Sequence, residues 1–259
     1  MDKLPISICM LSWNSSDTLD ETIKTYQKEG LFDMVNDVTI LFQEFNISDY
    51  DVARKYNVNL IGQNSNIGIG NAFIKLVNNS QTENVLLLEH DWNLIESKET
   101  TYQRLKEGLE FLNEGYTCVR YRHRKTPGYP HFSFQYIGKE LTYFDKKMGY
   151  NSPHLLDSLH WMEPDVSFPD KIEKEGNYFV TTSRYANWTN NPCLYRKEFY
   201  LNNVKPFVGT GIDLEENISK WWIEQNLKVA QGEGLFKHND RKKYGIFSKI
   251  NGDKISNLI

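Results

Sequence analysis

An α/β fold with a mostly parallel sheet flanked by helices is what this sequence predicts, and three observations predict it. Strand-like apolar runs alternate with segments of helical period from residue 6 to residue 91, the pattern of a parallel sheet with crossover helices. The run Val85-Leu86-Leu87-Leu88 is aliphatic throughout and bounded by polar residues, as in a strand buried on both faces. At 259 residues, with 39% hydrophobic and 25% charged side chains, the chain can bury one large core. It is read as a single domain over 1–259, with an aromatic and basic insertion over 122–185 and a tail over 239–259.

Ile6 to Trp13 reads as the first strand, and Asn14-Ser15-Ser16-Asp17 as the turn that starts a helix. Thr18 to Glu29 carries Leu19, Ile23 and Tyr26 at helical spacing, and Gly30 closes it. Asp37 to Phe42 is a second strand, Asp49 to Tyr56 a short helix, and Val58 to Ile61 a third strand. The turn from Gln63 to Asn71, rich in glycine and asparagine, feeds a helix over Ala72 to Asn78 and then the strand that starts at Asn84. Residues 100–113 form a further amphipathic helix, and Tyr116 to Tyr121 a strand.

The strand from Asn84 ends on Glu89-His90-Asp91, and ligands of open α/β sheets collect outside the carboxyl ends of strands. Because side chains alternate along an extended segment, Glu89 and Asp91 share a side, and two carboxylates there suit a hard divalent cation such as Mg²⁺ or Mn²⁺ with a diphosphate. The bland alternative is a pair of solvated acids at a strand-to-loop junction. Gly68-x-Gly70 lets a backbone approach a phosphate, but it lacks the third glycine of a dinucleotide fingerprint.

The formal net charge of -4 excludes a general nucleic-acid binder, which needs excess Lys and Arg. Three dispersed cysteines, Cys9, Cys118 and Cys193, give neither a disulfide framework nor a zinc spacing, so a reducing, cytoplasmic setting is expected. No apolar run is long enough to span a membrane, although peripheral membrane contact stays open.

The segment from Arg120 to Trp188 differs in texture. Arg120, Arg122, His123, Arg124 and Lys125 crowd together, and Tyr, Phe, His and Pro follow with weak periodicity. Long irregular segments are commonly binding loops, and this mix suits anionic or sugar-like ligands. Aromatic side chains can stack on sugar faces, and Trp161 and Trp188 are the expected platforms. After Gly209-Thr210-Gly211, Leu214, Ile218, Trp221 and Trp222 form the buried stripe of a helix. Asp213 and Glu216 have capping-box spacing, which leaves Glu215 as the other carboxylate near the helix start.

Taken in order, these pieces resemble the GT-A (Rossmann-like) glycosyltransferases, most of all the family-2 group that uses nucleotide sugars. Cys9-Met10-Leu11-Ser12-Trp13-Asn14-Ser15 resembles the family's opening segment. Asn66-Ile67-Gly68-Ile69-Gly70-Asn71-Ala72 resembles its Asn-x-Gly segment, and Leu86 to Asp91 the strand ending in its Asp-x-Asp metal motif, with Glu89 in place of the first Asp. Glu215-Glu216 stands where the family has a Glu-Asp pair, and His238 where many members have a histidine that completes the metal site. Gln43-Glu44-Phe45-Asn46 departs from the family, which usually has an Asp there for the nucleotide.

The resemblance implies a metal-dependent inverting transferase that moves a sugar from a nucleoside-diphosphate donor to a glycan or glycoconjugate acceptor. It implies Mn²⁺ or Mg²⁺ at Asp91, Glu89 and His238, and donor contacts at Ser12, Asn14, Glu44, Asn66, Gly68, Asn71 and His90. Glu216 is the implied general base, with Glu215 as the alternative, and Arg241 to Lys243 a lid over the diphosphate. A sugar nucleotidyltransferase would need a glycine-rich basic loop after the first strand, and Asn14-Ser15-Ser16-Asp17 is neither. A non-catalytic carbohydrate-binding protein on the same fold is the rival outside enzymes.

Overall fold

The structure is a computed structural model that describes residues 2–128, 151–156, 163–209 and 214–239. It opens with β1 (Leu4–Trp13), α1 (Ser16–Lys28), β2 (Val35–Gln43), α2 (Ile47–Tyr56), β3 (Asn59–Gly62), α3 (Ile69–Asn79) and β4 (Asn84–Glu89). A short β5 (Trp92–Leu94) precedes α4 (Lys98–Asn113) and β6 (Cys118–Arg122). Then come β7 (Glu173–Glu175), β8 (Tyr178–Thr182), β9 (Cys193–Arg196), α5 (Leu214–Glu224) and β10 (Lys228–His238). The ten strands form one sheet in the order β3-β2-β1-β4-β9-β6-β10-β8-β7, with β5 paired to β10.

The first half of that order is parallel, β2 pairing with β3 and with β1, and β1 with β4. Burial on both faces explains its composition. Ile6, Ile8 and Met10 of β1 and Leu86 and Leu88 of β4 face a layer closed by Leu19, Ile23 and Tyr26 of α1 and Leu105 and Leu112 of α4. Cys9, Leu11, Val85 and Leu87 face the other layer, closed by Phe73, Leu76 and Val77 of α3 and by Leu214, Ile218 and Trp222 of α5. The period-two and helical patterns in the sequence are these two layers.

Two helix starts differ from expectation for local reasons. α2 begins at Ile47 because Asn46 caps it: the Asn46 side chain accepts from the Ser48 and Asp49 amides, and the Asp49 carboxylate accepts from the Asn46 amide at 3.0 Å. α3 begins at Ile69, immediately after Gly68, whose φ of 79° suits glycine.

Beyond β4 the sheet changes character. β9 runs antiparallel to both β4 and β6, and β10 is parallel to β6 and antiparallel to β8. β4, β6 and β10 therefore point the same way, and their carboxyl ends share one edge. Within the 122–185 segment, β7 and β8 form a hairpin that extends this sheet.

Candidate active site

The parallel register decides what meets at the carboxyl edge. Leu11 of β1 lies opposite Glu89 of β4, and Trp13 opposite Gln43 of β2. The segments Ser12 to Asn14, Gln43 to Glu44 and Glu89 to Asp91 thus emerge side by side. β10 brings His238 to the same edge, since β5 turns back and pairs Trp92 with His238.

Asp91 and His238 meet there, with His238 Nε2 3.2 Å from Asp91 Oδ2. Asp91 is 9% exposed, and its Oδ1 is buried without a hydrogen-bond partner among the described residues. Burial pushes the Asp91 carboxyl up, but the His238 hydrogen bond and the charge of His90 and His238 outweigh it and hold the group below the ordinary carboxylate value. The turn is fixed from both sides. Asn239 donates its amide to the Asp91 carbonyl at 2.7 Å, and the Tyr26 hydroxyl donates to the Trp92 carbonyl at 2.5 Å.

The expectation that alternation along one strand aligns Glu89 with Asp91 is corrected: β4 stops at Glu89, and His90 and Asp91 form a turn into β5. Asp91 owes its place to that turn. Among the described residues no three His, Cys, Asp or Glu side chains cluster tightly enough to hold a metal by themselves. The donor set still fits Mg²⁺ or Mn²⁺ that completes its shell with water and substrate phosphate, because such sites use only one or two carboxylates. Asp91 Oδ1, buried and unpartnered, is the atom that fit requires.

Around this pair the other expected donor contacts are arranged along the edge. Ser12 is buried, and its hydroxyl has no partner among the described residues. Glu44, at φ 52°, accepts from Trp13 Nε1 at 2.9 Å and from Asn14 Nδ2 at 2.6 Å, so three edge residues are tied together. Asn66 Oδ1 accepts from the Gly68 amide at 2.8 Å, and Asn71 Nδ2 donates to the Ile67 carbonyl at 2.9 Å; both brace the turn before α3. Gln43 was not singled out from sequence, yet its Oε1 accepts from the Ile67 amide at 2.7 Å and joins that turn to the end of β2. Its place at the end of a buried strand was the available signal.

Glu215 and Glu216 part company. Glu215 Oε1 accepts from the Asn190 amide at 2.7 Å, which ties the start of α5 to the loop before β9, while Glu216 is exposed. Because β9 is antiparallel, that loop lies at the same edge. Asp213, Trp161 and Arg241 to Lys243 lie outside the described residues.

Trp188 does not present a face for stacking. It is 2% exposed and packs on Tyr195 at a ring distance of 5.7 Å and on Trp222 at 5.1 Å, so the expected platform is corrected to a core residue. The basic cluster is likewise internal except for Lys125, which is exposed. Arg120, Arg122 and Arg124 are buried, and each donates to backbone carbonyls: Arg120 to Asn187, Arg122 to Pro127 and Gly128, and Arg124 to Leu156.

No protein-family profile matches the sequence, and no curated protein sequence does either. Solved structures do match in three dimensions. A mannosyltransferase from Pyrobaculum calidifontis, in complex with GDP-Man and Mn²⁺, aligns with a TM-score of 0.51 at 9% identity over 88% of this chain and 54% of its own. The chain thus spans about half the length of that enzyme. Glucosyl-3-phosphoglycerate synthase from Mycobacterium tuberculosis, in complex with phosphoglyceric acid, aligns with a TM-score of 0.52 at 13% identity over 98% of this chain and 78% of its own. At such identities the likeness is one of fold. The mixed sheet with its parallel half, the helices on both faces and these likenesses give the chain the GT-A fold of glycosyltransferases.

Proposed function

We propose that the protein is a metal-dependent inverting glycosyltransferase that moves a sugar from a nucleoside-diphosphate donor to a hydroxyl of a glycan or glycoconjugate. One observation carries this reading: the buried Asp91 carboxylate, 3.2 Å from His238 and with its second oxygen unpartnered among the described residues, stands at the carboxyl edge of a GT-A sheet. Asp91 and His238 would hold the cation, with Glu89 as the third residue that the family resemblance implies. Bound there, Mn²⁺ or Mg²⁺ offsets the charge that builds on the departing diphosphate.

The chain's own residues do the rest. The Trp13–Asn14–Glu44 cluster and the Asn66–Gly70 turn bind and orient the donor. Glu216, exposed in the first turn of α5, takes the proton from the acceptor hydroxyl. That oxygen bonds to the anomeric carbon opposite the diphosphate, whose bond to the sugar breaks. Glu215, held by the Asn190 amide, sets the position of the helix start. The solved complex of the Pyrobaculum calidifontis mannosyltransferase with GDP-Man and Mn²⁺ supports a donor of this class. All three cysteines are buried free thiols, which suits the cytoplasm.

The test is donor hydrolysis. A panel of nucleoside-diphosphate sugars is incubated with the protein and Mn²⁺, and released nucleoside diphosphate is measured. Metal-dependent release from at least one donor is expected. No release, with no thermal stabilisation by any nucleoside diphosphate plus Mn²⁺, would leave the non-catalytic carbohydrate-binding protein as the better account.

A further inference from the structure

Arg122 lies at the end of β6 and is buried, and its contacts lead to His238 by two routes. Along the first, Arg122 Nε donates to the Pro127 carbonyl at 3.2 Å, and the His238 amide donates to that same oxygen at 3.1 Å. Arg122 Nη2 donates to the Gly128 carbonyl at 3.1 Å, and Gly128 forms a parallel bridge with His238. Gly128 has φ 73°, and a Cβ added to it would stand 2.1 Å from the His238 carbonyl oxygen, so the loop touches the β10 backbone directly. Along the second route, the Arg122 guanidinium lies 5.5 Å from the centre of the Trp92 ring. The Trp92 ring in turn meets the His238 imidazole edge-on at 4.7 Å.

We infer that Arg122 is a positioning residue that sets His238 against Asp91, an inference that rests on the proposed function for its link to metal binding. β5 flanks the His238 backbone on one side and the 127–128 loop on the other, and the imidazole is braced by Trp92. Arg122 is the group that engages both the loop and the ring. The guanidinium fork suits this task, because it donates to two successive carbonyls while it lies over the indole; an ammonium cannot do both. Partners behind a metal-ligating histidine fix its ring orientation, and losing one typically weakens metal affinity about 10- to 100-fold.

The test uses the full chain and the Arg122→Met and Arg122→Lys variants, with two readouts. The first needs no metal: hydrogen exchange of the His238 amide, followed by NMR, with the Val85 amide of β4 as reference. Arg122→Met is expected to speed exchange at His238 by about tenfold or more and leave Val85 unchanged, with Arg122→Lys between. The second is Mn²⁺ binding in the presence of GDP and of UDP, followed by electron paramagnetic resonance. Arg122→Met is expected to weaken Mn²⁺ binding about 10- to 100-fold while nucleotide binding without metal stays as in wild type.

Unchanged exchange at His238 overturns the inference. Faster exchange with unchanged Mn²⁺ affinity makes Arg122 a purely structural residue and overturns it too. Equal loss of metal-free and metal-dependent nucleotide binding has the same meaning. If wild-type protein binds no Mn²⁺ with either nucleotide, the proposed function fails, and the exchange measurement alone decides whether Arg122 holds His238.

Discussion

The two halves of the sheet solve different problems. From β3 to β4 each strand is parallel, each connection is a helix, and the buried apolar residues of the strands fall into two layers. From β9 to β7 the pairing is mixed, antiparallel except between β6 and β10, β10 is bulged, and buried arginines are satisfied by loop carbonyls. The first half presents its edge residues by register alone, as with Trp13 opposite Gln43. The second half must bring His238 and Glu215 to that edge across a longer and less regular path. It is held there by specific polar contacts, so losing one of those contacts should be felt at the site, whereas substitutions in the first half away from its carboxyl edge should be felt mainly as stability.

The largest effect expected belongs to the second half and is kinetic. Glu216→Gln should lower transfer about 10²- to 10⁴-fold while melting temperature and donor binding stay near wild type. Glu215→Gln should lose less transfer and more stability, because Glu215 answers the Asn190 amide. The reverse ranking, read from initial rates and melting curves of the two variants, would move the base to Glu215. Next comes Trp188→Ala, which empties a site packed by Tyr195, Tyr200 and Trp222 and should destabilise the fold by about 3–5 kcal/mol. A stable variant with a raised acceptor KM alone would restore Trp188 as a stacking platform.

Away from the carboxyl edge of the first half the effects should be smaller and confined to stability. Asn46→Ala removes the cap of α2 and should cost about 1 kcal/mol in chemical denaturation, with the site unaffected. Smallest is Asp20 of α1, which pairs with Lys24 of the same helix and bridges to α2 through Lys55 and the Tyr56 hydroxyl. Burial pushes its carboxyl up, but those three partners more than offset this and hold it well below the ordinary value. A depressed folded-state pKa means the contribution is complete above the unfolded value, about 3.9, and is lost as pH falls below it. Asp20→Asn should therefore flatten the acid limb of the melting temperature slightly. An unaltered acid limb would assign that pH dependence to other carboxylates.

The same contrast explains what could be seen in the sequence. Strands such as Asn84–Glu89 and helices such as Ser16–Lys28 were legible because their burial follows periods of two and of about 3.6 residues. The β7–β8 hairpin was not, since Glu173–Glu175 is exposed throughout and Tyr178–Thr182 sits in aromatic sequence without alternation. β10 was not legible as a strand either. Its register shifts between Gln231 and Phe236, where Gly234 takes φ 91°, and a bulge erases the period-two signal. At the site, Asp91 and His238 were named from their order in the chain, whereas Gln43 and Arg122 act through backbone partners that no side-chain pattern announces. Trp188 misled for a related reason. An aromatic residue in irregular sequence reads equally well as a platform or as core, and only the packing of α5 against β9 decides between them.

The central claim is that Asp91 and His238, brought together from opposite halves of the sheet, form the metal end of a nucleotide-sugar site. It is tested most directly by measuring Mn²⁺-dependent binding of GDP and UDP to wild type, Asp91→Ala and His238→Ala by calorimetry, with melting curves as a check on folding. The account expects Asp91→Ala to fold and to lose the metal-dependent part of binding. His238→Ala should weaken that part about 10- to 100-fold, because water can replace a neutral ligand. An Asp91→Ala protein that binds nucleoside diphosphate with Mn²⁺ as tightly as wild type would contradict it.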